Sequence, residues 1–166
     1  MSLPTKLIAG LACVLAFTAS ALAEVKVGQP FPDLAGYGLE GTLPAREGQV
    51  VLVDFWATWC APCKASFPAY SELQRELGGR GFVLLAVSVD KTPGPYEEFL
   101  KRFAPAFTTV RDGTQKLVAD VQVPAMPTSY LIDRKGVLRM VHSGFHGAET
   151  VGKLREEIVR LLEEKP

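Results

Sequence analysis

The sequence predicts an α/β sandwich: a central mixed β-sheet flanked by helices, preceded by an N-terminal extension. Two continuous apolar runs, Val50–Phe55 and Phe82–Val89, have the length and composition of strands covered on both faces. Between them, apolar residues recur three and four apart, as one buried helix face requires. The chain then closes with a hairpin signal and an amphipathic segment, so helices alternate with strands before a terminal hairpin and helix.

The chain opens with a targeting signal. Lys6 is the only basic residue before the apolar stretch Leu7–Phe17, and Ala21-Leu22-Ala23 places small residues where a signal peptidase cuts. Residues 1–23 are therefore expected to be a cleaved signal peptide. An uncleaved anchor is the alternative, because the apolar stretch reaches the lower length limit of a spanning helix. A lipoprotein site at Cys13 is disfavoured, since the apolar run continues well beyond it. Residues 24–166 then form one domain, long enough to bury a substantial core.

Val25–Gly48 is rich in Gly and Pro and reads as an irregular extension. After the Val50–Phe55 strand, a helix is expected from Pro62 to about Leu77, with Phe67, Tyr70, Leu73 and Leu77 on one face and a kink at Pro68. Gly78, Gly79 and Gly81 end it before the second strand. Pro95–Phe103 reads as a short helix, Phe107–Val110 as a short strand and Gln115–Asp120 as helical. Thr128–Ile132 and Val137–His142 flank the turn Asp133–Gly136 as a hairpin. The last helix carries Val151, Leu154, Ile158, Leu161 and Leu162 on one face. Eighteen basic and eighteen acidic side chains give zero net charge, and no basic block stands out, so nucleic acid is not an expected partner.

Three cysteines are present, and Cys13 leaves with the signal peptide. Cys60 and Cys63 remain, in Trp59-Cys60-Ala61-Pro62-Cys63. A bridge across so short a loop removes little chain entropy, so it is a poor staple, and reactivity explains the pair better. Lys64 follows Cys63, which excludes the C-x-x-C-H haem attachment. Zinc needs four ligands, and His142 and His146 lie much farther along the chain than the roughly 12–15 residues of a zinc-finger module. The segment also lacks the P-x-x-x-T-x-x-C pattern of a one-cysteine peroxidase. A redox pair has a physical reason for each feature. Cys60 falls at a strand-to-helix junction, where unpaired N–H groups and the helix dipole favour a thiolate. Cys63, one turn in, is placed to attack a mixed disulfide formed by Cys60. Pro62 suits the first helical turn.

The run Val51–Lys64, with Pro68 and the segment Met126-Pro127-Thr128-Ser129, resembles the active site of the thioredoxin superfamily. The signal peptide and the entry Gly28-Gln29-Pro30-Phe31-Pro32-Asp33 make it similar to the exported TlpA/ResA-like branch, over about residues 27–164. This resemblance implies a thioredoxin-like fold, a Cys60–Cys63 disulfide and a cis Pro127 beside it. It also implies a substrate-contact surface formed by Trp59, Pro62, Met126, Pro127 and Thr128, with Phe145 either joining it or packing in the core. Pro124 is read as trans.

The chain departs from the branch at Ser66, where its relatives carry a glutamate near the buried thiol. Asp54 instead matches the buried acid of cytoplasmic thioredoxins, and the lysine that partners that acid falls at Ala86. A desolvated Asp54 would hold a proton near neutrality and could accept one from Cys63, giving a catalytic set of Cys60, Cys63 and Asp54. The alternative is an exposed strand edge. By resemblance the protein is a monomeric periplasmic reductase without cofactor or metal. It would act on disulfides of extracytoplasmic proteins, such as apocytochrome c or copper-site cysteines, with electrons from a membrane thiol relay. A different class of function remains open: Cu(I) handling by Cys60 and Cys63, with Met126 and His146 as further soft or borderline ligands.

Overall fold

The computed structural model describes residues 25–165, so the expected signal peptide lies outside the described residues. Five strands, β1 (Val50–Trp56), β2 (Phe82–Ser88), β3 (Thr108–Arg111), β4 (Thr128–Ile132) and β5 (Leu138–Ser143), form one sheet in the order β3-β2-β1-β4-β5. β1 pairs in parallel with β2, and β2 with β3, while β4 runs antiparallel to both β1 and β5. The sheet is mixed, as expected.

β1 is the central strand and all seven of its residues are buried. That removes the strand-edge alternative for Asp54. Its side chains alternate between faces, with Leu52, Asp54 and Trp56 on one and Val51, Val53 and Phe55 on the other. α1 (Ala61–Leu77) covers the Asp54 face, packing Phe67 edge-on against Trp56 with ring centroids 4.6 Å apart. α2 (Pro93–Phe103) joins that aromatic cluster through Phe99, and α4 (Ala148–Glu163) packs beside α1. The opposite face carries Phe55 against Tyr130, and Phe31 of the N-terminal segment also packs on that ring.

Element boundaries moved by one or two residues where turn chemistry decided them. α2 starts at Pro93 rather than Pro95, because the extended Thr92 precedes it and Pro93 supplies a helix-compatible φ at the first position. α1 is one helix from Ala61 to Leu77 and continues through Pro68. It passes into a short 3₁₀ turn, Gly78–Arg80, and Gly81 reverses the chain at a positive φ that costs a glycine nothing. α3 (Lys116–Val121) matches the expected helical segment. The extension is mostly irregular, with a 3₁₀ turn at Leu34–Tyr37, and it touches both sides of the sheet through the bridges Pro30–Val137 and Glu40–Arg111. Among the described residues no helix is long and apolar enough to cross a membrane.

Candidate active site

Where β1 ends, the chain turns through Ala57–Trp59 into α1, and Cys60 is the N-cap of that helix. Its backbone is extended, so its side chain turns back over the first helical turn. Cys60 Sγ accepts a hydrogen bond from the Cys63 N–H at 3.2 Å. The two sulfurs are bonded at 2.03 Å, with the Cα atoms 5.3 Å apart. Cys60 retains 5% exposure and Cys63 none. The two sulfurs are therefore unequal: only Cys60 can be reached from solvent, and it sits where free helical N–H groups stabilise negative charge.

The loop before Cys60 is tied to β2. Asp90, just beyond that strand, accepts from the Thr58 N–H at 3.0 Å and from Thr58 Oγ1 at 2.7 Å, and its second oxygen also accepts from Ser88 Oγ at 2.7 Å. This holds the turn while leaving Trp59 69% exposed beside Cys60. Pro62 is exposed on the first turn of α1. Across the site, the Met126–Pro127 bond is cis. Thr128 opens β4 and its hydroxyl donates to the Ala125 carbonyl at 2.8 Å. The Gly144 N–H donates to the Pro127 carbonyl at 2.8 Å, fixing this loop against the end of β5. Met126 is partly buried against the core. Phe145 is partly buried and packs against the core, edge-on to Tyr70 with ring centroids 5.9 Å apart.

Asp54 is fully buried beneath this end of the sheet. Its parallel neighbour on β2 is Ala86 and its antiparallel neighbour on β4 is Ser129. The position expected to lack the compensating lysine is thus the residue alongside Asp54. Ser129 Oγ donates to Asp54 Oδ1 at 2.5 Å, whereas Oδ2 is buried with no hydrogen-bond partner among the described residues. Burial drives the carboxyl up to about 7, and the Ser129 hydrogen bond pulls against that rise. Ser66, at the position of the absent glutamate, is buried and bonds its own helix, donating to the Cys63 carbonyl at 2.8 Å.

The site holds groups that the sequence reading did not find. Ser129 and Tyr70 share a 3.1 Å hydrogen bond, extending a polar line from Asp54 toward α1. A signal existed, because a polar residue in a strand buried on both faces needs a partner, and Asp54 and Ser129 are two such residues. Their pairing follows from strand register, which the sequence does not display. His142 is a half-buried member of β5 and His146 lies in the following loop. No group of three or more His, Cys, Asp or Glu side chains is gathered as a metal site among the described residues.

A disulfide capping the helix after the central strand of this mixed sheet, with a cis proline at the start of β4, defines a thiol-disulfide oxidoreductase of the thioredoxin fold. The chain belongs to the AhpC/TSA family, whose profile matches residues 27–141. It is 31% identical to the thiol-disulfide oxidoreductase ResA of Geobacillus kaustophilus (strain HTA426), over 81% of this chain and 79% of that one. It is 33% identical to the thioredoxin-like protein YneN of Bacillus subtilis (strain 168), over 72% and 73% of the two chains. A solved Chlorobium tepidum structure, described as a candidate thiol:disulfide interchange protein DsbE, superposes with a TM-score of 0.77 at 33% identity. That match covers 84% of this chain and 99% of the other.

Proposed function

We propose that the protein is exported by a cleaved signal peptide over residues 1–23 and reduces disulfides in extracytoplasmic proteins. In its reduced state the Cys60 thiolate attacks one sulfur of a substrate disulfide. A Cys60–substrate mixed disulfide forms and the other substrate sulfur leaves as a thiolate. Cys63 then gives its proton to Asp54 and attacks Cys60 Sγ, which closes the Cys60–Cys63 bond and expels the second substrate sulfur as a thiolate, to be protonated by solvent while Asp54 releases its proton. Two electrons pass from the dithiol to the substrate, and a membrane thiol relay restores them.

The observation that carries this reading is the inequality of the two sulfurs. Cys60 caps the helix at the surface, and Cys63 is enclosed one turn inside. Trp59, Pro62 and Met126 form the contact surface for the substrate segment, whereas Pro127 and Thr128, expected to join it, are buried and fix the loop from beneath. Met126 supports this role, since its N–H and C=O make no hydrogen bond within the described chain and remain available to an extended peptide. The reducing direction is supported by Ala61-Pro62, which place no histidine between the cysteines to stabilise the dithiol form. Apocytochrome c and copper-site cysteine pairs are the substrates proposed, and the working state is a periplasmic monomer.

Equilibration with glutathione tests the direction. The expected potential lies nearer the roughly −270 mV of thioredoxin than the roughly −120 mV of a strong periplasmic oxidant. A value at the oxidant end would reverse the direction proposed here.

A further inference from the structure

We propose that Ser129 and Tyr70 are positioning residues for the dithiol reaction. Their hydroxyls form a directed relay onto Asp54 Oδ1, so that Oδ2 is left as the oxygen that takes the proton. The inference rests on the reading of Asp54 as the base for Cys63.

The geometry restricts where the protons can point. Ser129 has one hydroxyl hydrogen and two close oxygen neighbours, Asp54 Oδ1 at 2.5 Å and Tyr70 Oη at 3.1 Å. If Ser129 donates to the carboxylate, its lone pair faces Tyr70, and Tyr70 must donate to it. Every hydrogen in the line then points toward Asp54. In the reverse order the carboxyl donates to Ser129 and Ser129 to Tyr70. That leaves the Tyr70 hydroxyl hydrogen with no acceptor, since Ser129 is its only hydrogen-bond partner among the described residues and the tyrosine is fully buried. An unpaired buried donor is penalised, so the forward order is favoured.

The forward order has a chemical consequence. It stabilises the carboxylate against its own desolvation, which would otherwise keep Asp54 protonated and useless as an acceptor. It also occupies Oδ1, while Oδ2 stays buried and bare. Among the described residues no cation performs this role. Asp54 faces Ala86 on β2 and Ser129 on β4, with Tyr70 above it on α1. His142 is one strand farther, opposite Ser129, and burial lowers its proton affinity while Glu157 and Lys153 of α4 act on it in opposite directions. Cys63 and Tyr70 share the buried face of α1, seven residues and about two turns apart.

The test is a carbon-13 NMR titration of the Asp54 carboxyl in the oxidised full-length domain, compared among the native protein and three variants. Ser129→Ala should raise the Asp54 midpoint by about one to two pH units, the size of one hydrogen bond to a charged group. Ser129→Thr keeps a hydroxyl and should titrate close to native. Tyr70→Phe should raise the midpoint by a smaller amount, because it removes the second link only. An unmoved midpoint in a folded Ser129→Ala protein, or in Tyr70→Phe if Ser129→Ala does not fold, would overturn the relay. So would Ser129→Thr shifting as far as Ser129→Ala. The pH profile of mixed-disulfide resolution separates this from the underlying reading. A raised midpoint moves the acid limb of that profile to higher pH if Asp54 is the base. A raised midpoint with an unmoved profile supports the relay and rejects Asp54 as the base.

Discussion

Two buried aspartates lie at the same end of the sheet and are treated in opposite ways. Asp90 accepts from the Thr58 N–H, Thr58 Oγ1 and Ser88 Oγ, and Arg111 lies nearby, donating to the carbonyls of Asp90 and Lys91. Arg111 in turn is paired with Glu40 of the N-terminal extension. Among the described residues Asp54 has one hydroxyl donor, no cation partner and one bare oxygen. A carboxylate saturated with donors has nothing left to accept and acts as a clamp, here on the loop that presents Trp59 and Cys60. A carboxyl left short of donors in a dry strand is poised between its two protonation states. The two groups differ in their surroundings alone, and that difference is the basis for proposing a supporting role for Asp90 and a chemical one for Asp54.

The largest effects should fall on the cysteines that both aspartates serve. Cys60→Ser should abolish disulfide reduction. Cys63→Ser should stall at the mixed disulfide, leaving covalent substrate adducts visible on a non-reducing gel. Reduced protein alkylated between pH 6 and 8 should label at Cys60 far faster than at Cys63, and equal labelling would contradict the assignment of roles.

Asp54→Asn comes next. It should slow resolution by about 10- to 100-fold, the low end of general-base contributions. The same change should stabilise the fold at pH 8. Asp54 is raised in the folded state from its ordinary value of 3.8 to about 7, so its contribution to stability is present below the unfolded value and lost as pH rises through 7. The shift corresponds to up to about 4 kcal/mol. The advantage of Asp54→Asn should therefore appear between pH 4 and 7 and vanish below pH 4 in denaturant titrations. No pH-dependent advantage across that window would mean that Asp54 is not desolvated as described.

Asp90→Ala sharpens the contrast from the other side. It strands the Thr58 and Ser88 donors and should cost about 1–3 kcal/mol of stability, read from the denaturant midpoint. It should also loosen the loop at Trp59 while leaving the Asp54 midpoint unmoved. A comparable change in the Asp54 titration would show that the two clusters are one. Smallest of all should be Glu40→Gln. The partner carboxylate is half-exposed and Arg111 keeps its two carbonyl bonds, so the loss should stay under about 1 kcal/mol.

Much of the architecture was legible because its signals are local. The apolar runs at Val50–Phe55 and Phe82–Val89 are too continuous for anything but buried strands, and the spacing of Phe67, Tyr70, Leu73 and Leu77 can only be helical. The cysteine pair declared itself by its place between one such run and one such helix. Asp54 stood out because a charged residue is expensive in an apolar run, which either solvates it or uses it. The hydroxyl line and the Asp90 clamp were not legible. Their long-range links, Thr58 to Asp90, Tyr70 to Ser129 and Ser129 to Asp54, join residues 32 to 75 positions apart, and those meetings depend on which strands pair and in what register. Glu40 and Arg111 illustrate the same limit, since an irregular extension carries no periodicity to say where it docks.

A buried Asp54 short of hydrogen-bond donors is the proposed acceptor of the Cys63 proton. Single-turnover kinetics of mixed-disulfide resolution test it most directly, followed from pH 6 to 8 in the native protein and in Asp54→Asn. The native rate should rise with pH through a midpoint near 7, as Asp54 becomes ionised, and the variant should be slower and lack this midpoint. Resolution at the native rate across that range in Asp54→Asn would make the aspartate structural and contradict the account.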